Sequence, residues 1–231
     1  VVPGKDIHET HTRVTEATAA VLEHGLFPIA IGGGHDLTFP FVRAVAPGFR
    51  PVQNAPAAGS SKSTGSPVPP NSALAGVYFD AHLDVRDTVG SGMPFRSLVE
   101  HCGVRELHVC GLNAFANTHE HTEWFKAHGG RIHGKPAAGA PIQLPTHNPC
   151  FVSFDLDVLD AGCAPGVSAT NPSGWSVAQA EPWLLAAGRS ERVRCFDIME
   201  LNPAYDEGGR TARAAAHLLL TFLRGFTERQ A

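Results

Sequence analysis

Three short apolar runs in this chain each break off abruptly into acids or histidine, and that pattern limits the fold more than any other feature. Phe27 to Ile31 leads into Gly32-Gly33-Gly34-His35-Asp36, Ala75 to Phe79 into Asp80-Ala81-His82-Leu83-Asp84, and Phe151 to Phe154 into Asp155-Leu156-Asp157. A short run apolar on both faces is the mark of a strand buried in a parallel sheet, covered by helices above and below. Ligands of open parallel sheets bind just beyond the carboxyl ends of the strands, which is where these acids fall.

The remaining chain supports that reading. Further apolar strands are expected at Leu107–Cys110 and Val193–Ile198, and helical periodicity at Asp6–Gly25, Glu120–His128, Val177–Ala187 and Thr211–Leu223. Alternation of strands and helices predicts an α/β fold with a mostly parallel sheet covered on both faces. At 231 residues and 43% hydrophobic content the chain is long enough for a substantial core, and one domain, 1–231, is the expectation. Residues 47–72, rich in Pro, Ser, Gly and Ala, bury too little apolar surface to order themselves and read as a flexible insertion. The first residue is Val1 rather than Met, so the chain is expected to be N-terminally incomplete.

Composition excludes several classes of function. A formal net charge of -4 without a Lys/Arg-rich run argues against nucleic-acid binding. No apolar stretch is long enough to span a membrane, and no signal segment opens the chain. Five scattered cysteines without a C-x-x-C motif suggest neither disulfides nor a zinc knuckle, and a cytoplasmic protein is expected. Cys110 and Cys195 read as small core residues. A small-molecule substrate fits this background.

The alternating spacing at Asp80-His82-Asp84 and Asp155-Asp157 would project the polar side chains to one side of an extended segment, with Ala81, Leu83 and Leu156 turned away. Carboxylates clustered this way repel one another and resist ionisation unless cations neutralise them. Two metal ions held by His35, Asp80, His82, Asp84, Asp155 and Asp157 would do so. Carboxylate and imidazole ligands without a thiolate favour an oxygen-loving ion, with manganese the leading candidate, and a two-metal site that activates water implies hydrolysis. A single D-x-H-x-D or D-x-D could be a solvated strand end; three such motifs, each closing a buried strand, make coincidence a poor explanation. His8 and His11, and His119 and His121, have metal-like spacing but no supporting carboxylate strand, and are expected on solvated helix faces.

With Asp197-Ile198-Met199-Glu200-Leu201-Asn202-Pro203, these motifs resemble the ureohydrolase superfamily of arginases, agmatinases and formimidoylglutamases, from about Gly32 to Arg213. The resemblance implies a three-layer α/β/α sandwich and two Mn2+ ions: one on His35, Asp80, Asp84 and Asp155, the other on Asp80, His82, Asp155 and Asp157. It further implies that Glu200 holds the amidine or guanidine nitrogens, that Asp84 passes a proton to the departing amine, and that the protein is a trimer or hexamer. Arginases carry a histidine in an S-G-N-x-H-G context beyond D-x-H-x-D; here the stretch is Ser91-Gly92-Met93-Pro94-Phe95, closer to formimidoylglutamases. Asp36 stands where that group has Glu, and Met93 where Thr is usual. Arg86, Ser91 and Asn117 become candidates for substrate binding. The leading expectation is cleavage of N-formimidoyl-L-glutamate to L-glutamate and formamide. The alternatives are a guanidino-compound hydrolase releasing urea and a noncatalytic metal-binding homologue.

Overall fold

The structure is a computed structural model that describes residues 1–49, 74–134 and 143–229; the expected insertion lies outside them from residue 50 onward. Six strands form one sheet: β1 (Ile29–Ile31), β2 (Ala75–Phe79), β3 (Glu106–Cys110), β4 (Gly130–His133), β5 (Cys150–Asp155) and β6 (Val193–Met199), in the spatial order β1-β6-β5-β2-β3-β4. Every pairing is parallel. The chain leaves β2 toward one edge and returns to β5 on the other side of β2, so the β2/β5 crevice is the point where strand order reverses, the place such sheets bind ligands.

Helices cover both faces. Against one pack α5 (Val177–Arg189) and α6 (Arg210–Thr227), whose Trp183, Leu184, Leu218 and Phe222 join Val77, Phe79, Val152 and Phe154 of the sheet. Against the other lie α2 (Thr38–Val45), α3 (Pro94–Cys102) and α4 (His119–Ala127), whose Phe41, Phe95, Leu98 and Phe125 meet Tyr78, Leu107, Val109 and Phe151. The α/β/α sandwich is therefore as expected. The helices α5 and α6 approach closely because each presents a glycine: a Cβ on Gly188 would run into the Phe222 carbonyl, and one on Gly225 into the Leu185 carbonyl.

Helix ends follow local chemistry. The first helix, α1 (Ile7–Glu23), starts where the Asp6 carboxylate accepts from the Glu9 N–H at 2.8 Å and stops before Gly25, whose φ of 67° lies in the left-handed region that favours glycine. A capping box of Ser176 and Gln179 opens α5. Three elements were not expected from the sequence: α2, α3 and the edge strand β4. No helix among the described residues is long and apolar enough to cross a membrane.

Candidate metal centre

Four neighbouring strands, β1, β6, β5 and β2, deliver the chemistry-bearing side chains at their carboxyl ends. The ligands do not come from an extended segment, as the alternating spacing had suggested. β2 ends at Phe79, and the residues after β5 coil at once into a 3-10 turn, Leu156–Val158. What the spacing encodes is a turn closed by the acid itself. Asp80 Oδ1 accepts from the His82 N–H at 2.6 Å, and Asp155 Oδ1 from the Asp157 N–H at 2.7 Å. Each acid is thus locked by one oxygen while Oδ2 stays free to face the site. Ala81, Leu83 and Leu156 do turn into the core, each 1% exposed.

His35 follows Gly32 and Gly33, whose φ angles of 86° and 84° carry the chain sharply off β1 into a 3-10 turn. Its Nδ1 lies 3.0 Å from Asp84 Oδ2, 3.0 Å from Asp155 Oδ2 and 3.3 Å from Asp80 Oδ2. A second group forms around His82, whose Nδ1 is 2.9 Å from Asp157 Oδ2 and 3.4 Å from Asp80 Oδ1. The ligand atoms of His35, Asp80, Asp84 and Asp155 lie within 4.8 Å of one another, as do those of Asp80, His82 and Asp157. Asp80 belongs to both groups. Asp155, expected in both, falls in the first alone; its other oxygen is held by the Asp157 N–H.

The surroundings of His35 select its bonding state. Ser153 donates its only hydroxyl proton to Asp197 Oδ1 at 2.6 Å, so the 2.9 Å contact between Ser153 Oγ and His35 Nε2 requires the imidazole to donate. Thr38 Oγ1 donates to the other Asp197 oxygen at 2.9 Å, and all four residues are fully buried. A neutral His35 then aims the Nδ1 lone pair at three carboxylate oxygens. Nδ1 and Asp80 Oδ2 are buried polar atoms without a hydrogen-bond partner. A cation between them satisfies both, as does an added proton.

Titration follows the same logic. Burial raises the Asp80 carboxyl to about 7, helped by the charges of Asp84 and Asp157, and burial followed by the charges of Asp157 and Asp80 raises Asp155 well above the usual carboxylate range. Burial alone would lower His35, but hydrogen bonding and charge from Asp155, then hydrogen bonds from Asp80 and Asp84, outweigh it and raise it. Hydrogen bonds from Asp157 and Asp80 raise His82 to about 11. The cluster therefore holds protons when it holds no other cation. Divalent ions fit this donor set because they supply the same positive charge.

A cavity of about 210 Å³ opens beside the cluster, lined by His82, Asp84, Asp155 and Asp157 and by Arg86, Ser91, Ser168 and Glu200. A larger cavity of about 480 Å³ between α1 and β1 is lined by no acidic, basic or histidine side chain, and offers no chemistry. Glu200 sits one residue beyond β6 with φ of 71°, and Asp84 has φ of 48°. Among the described residues these are the two non-glycine residues with left-handed backbone, a strain that collects at functional positions. The His35 N–H binds Glu200 Oε1 at 2.6 Å and the Ser168 hydroxyl binds Oε2 at 3.2 Å, while burial raises the Glu200 carboxyl above its ordinary value.

Asn117 does not line this cavity. Its amide oxygen accepts from the Leu83 N–H at 2.9 Å, and its NH2 donates to the Ala81 and Asn113 carbonyls at 2.9 and 2.8 Å, so it braces the Asp80–Asp84 loop instead. His11 is also not where the sequence suggested. It is 5% exposed, and its Nε2 meets Asp36 Oδ2 at 2.7 Å, because α1 packs on α2 and turns that face inward. His8 and His119 are exposed and His121 partly so. Cys110 and Cys195 are buried as expected. Ser168, and the support of His35 by Ser153, Thr38 and Asp197, were missed. Ser153 and Asp197 left a readable trace, each being a polar residue inside an apolar strand; Ser168 left none.

The family model of the arginase family matches residues 1–224. The formimidoylglutamase of Halobacterium salinarum is 32% identical over 240 residues, covering 97% of this chain and 71% of the relative. The agmatinase of Bacillus subtilis is 27% identical, covering 93% and 69%. Trypanosoma cruzi formiminoglutamase, solved with Mn2+, superposes with a TM-score of 0.78 at 26% identity, covering 99% of this chain and 74% of that one.

Proposed function

Because this chain belongs to the arginase family, we propose that it is a binuclear manganese hydrolase that cleaves N-formimidoyl-L-glutamate with water to L-glutamate and formamide. The observation that carries the substrate choice is the polarity of the cavity. Asp84, Asp155, Asp157 and Glu200 line it, and Arg86 is the single Lys or Arg lining it among the described residues. Such a cavity suits a molecule with a cationic amidine at one end and carboxylates at the other. Agmatine, with a second cation in place of a carboxylate, has nothing to offer Arg86.

His35, Asp80, Asp84 and Asp155 would hold one ion and Asp80, His82 and Asp157 the other. When bound, the ions offset the carboxylate charge and make water acidic enough to act as a nucleophile near neutral pH. The chain's own groups do the rest. Glu200, fixed through both oxygens, hydrogen-bonds the planar amidinium and presents its carbon to the acidic wall. Arg86 and Ser91 take the glutamyl carboxylates. Asp84 accepts a proton on the attacking side and returns it to the departing amine. Phe95, at the position of the arginase histidine, is fully buried and meets the His35 ring edge-on at 5.2 Å, so it packs behind His35 and has no proton to move.

The test is a manganese-reconstituted assay with metal content determined on the same sample. N-formimidoyl-L-glutamate should yield formamide, with arginine, agmatine and guanidinobutyrate turned over poorly. Release of urea from a guanidino compound in preference would move the protein to that branch. Asp155→Asn should lose metal and turnover together; full turnover with two bound ions in that variant would overturn the site.

A further inference from the structure

Gly92 is not among the glycines with a positive φ, unlike Gly90. A left-handed φ therefore does not account for a glycine there. Space does. A Cβ at Gly92 would fall 2.7 Å from Arg86 Cδ, 2.9 Å from Nε and 3.3 Å from Cγ. These atoms run from the arginine stem to the root of its guanidinium, so the side chain would have to shift off Gly92.

The loop is built to bring these two residues together. The Arg86 N–H donates to the Gly92 carbonyl at 2.8 Å, the Met93 N–H to Gly90 at 3.2 Å and the Phe95 N–H to Asp84 at 3.2 Å, closing residues 84–95 into a compact bend. The Arg86 stem lies back across Gly92, and both residues line the cavity. No described carboxylate lies within ion-pair distance of the Arg86 guanidinium, so it waits as an unpaired cation beside an acidic wall. A long flexible side chain without a partner would ordinarily sample many rotamers, and a seat that fixes it lowers the ordering cost of binding an anion.

We propose that Gly92 is the seat of Arg86, a positioning residue that sets specificity for a carboxylate-bearing substrate by holding the guanidinium at the cavity rim. The carboxylate partner rests on the function proposed above; the seat itself does not. On this reading Gly92→Ala acts only through Arg86.

The experiment is a double-mutant cycle of Arg86→Ala and Gly92→Ala in the manganese-loaded protein, read by kinetics and by thermal unfolding. Gly92→Ala should raise KM for N-formimidoyl-L-glutamate about tenfold with kcat changed less than threefold. It should leave turnover of an N-alkylformamidine lacking carboxylates unchanged, and add nothing once Arg86 is Ala. Equal effects on both substrates, or additive effects of the two substitutions, would overturn the proposal. If Gly92→Ala does not fold, recovery of folding in the double variant supports the seat, and its absence refutes it. If the wild type fails to turn over N-formimidoyl-L-glutamate, the functional reading fails, and the seat is still judged by whether Gly92→Ala destabilises only when Arg86 is present.

Discussion

Replacing Ser153 by Ala removes one hydroxyl and leaves two buried groups short of a partner. His35 Nε2–H loses its only acceptor, at 2.9 Å, and Asp197 Oδ1 loses its donor, at 2.6 Å, while Thr38 still serves Oδ2. All four residues are fully buried, so water does not step in. An unsatisfied buried group costs roughly 1–3 kcal/mol, and two give about 2–6 kcal/mol. The low end is expected, because burial already raises the Asp197 carboxyl to about 6 and loss of a donor lets it take up a proton near neutrality. A domain of this size shifts in Tm by roughly 2–4 °C per kcal/mol, so Ser153→Ala should melt about 4–8 °C lower without metal. Outer-shell partners of ligating histidines are worth roughly 10–100-fold in metal affinity, and the variant should bind Mn2+ that much more weakly. Urea denaturation of chelator-treated protein and a competitive metal titration measure the two effects. A variant within 0.5 kcal/mol of the wild type, with metal affinity unchanged within a factor of two, would show that the relay does not orient His35.

The metal-free protein should lose stability as pH rises. Burial raises Asp80 to about 7 and Asp197 to about 6, so the folded state holds their protons more tightly than the unfolded chain does. The stability tied to them is complete below the ordinary carboxylate range and lost as pH climbs through 6 to 7. Chelator-treated protein should therefore melt lower at pH 8 than at pH 5, with manganese reversing the order because ligands bind it deprotonated; a metal-free Tm higher at pH 8 contradicts this. Asn117→Ala deletes three hydrogen bonds that hold the Asp80–Asp84 loop and should cost roughly 2–3 kcal/mol in urea denaturation. If it instead raised KM with stability intact, Asn117 would be a substrate contact.

Sequence alone determined the α/β architecture, because apolar strands and helical periodicity are local consequences of what each side chain must bury. It determined the candidate ligands too, since D-x-H and D-x-D close turns on themselves within two residues. It did not reveal α2, whose Thr38–Val45 is a short run with every residue but Arg43 buried, too short for periodicity to separate helix from strand, or α3, whose opening Pro94 reads as part of a loop. The edge strand β4 is four residues, none of them buried, without an apolar run. Adjacency was likewise hidden. The strands β5 and β6 lie side by side with Ser153 paired to Asp197, and only that register turns two isolated polar residues into the support of His35. The bend that lays Arg86 across Gly92, and the packing that buries His11, arise in the same way. Local pattern reports what a residue does to its own backbone; which distant residue it touches is decided by how the layers pack, and tertiary structure alone records that.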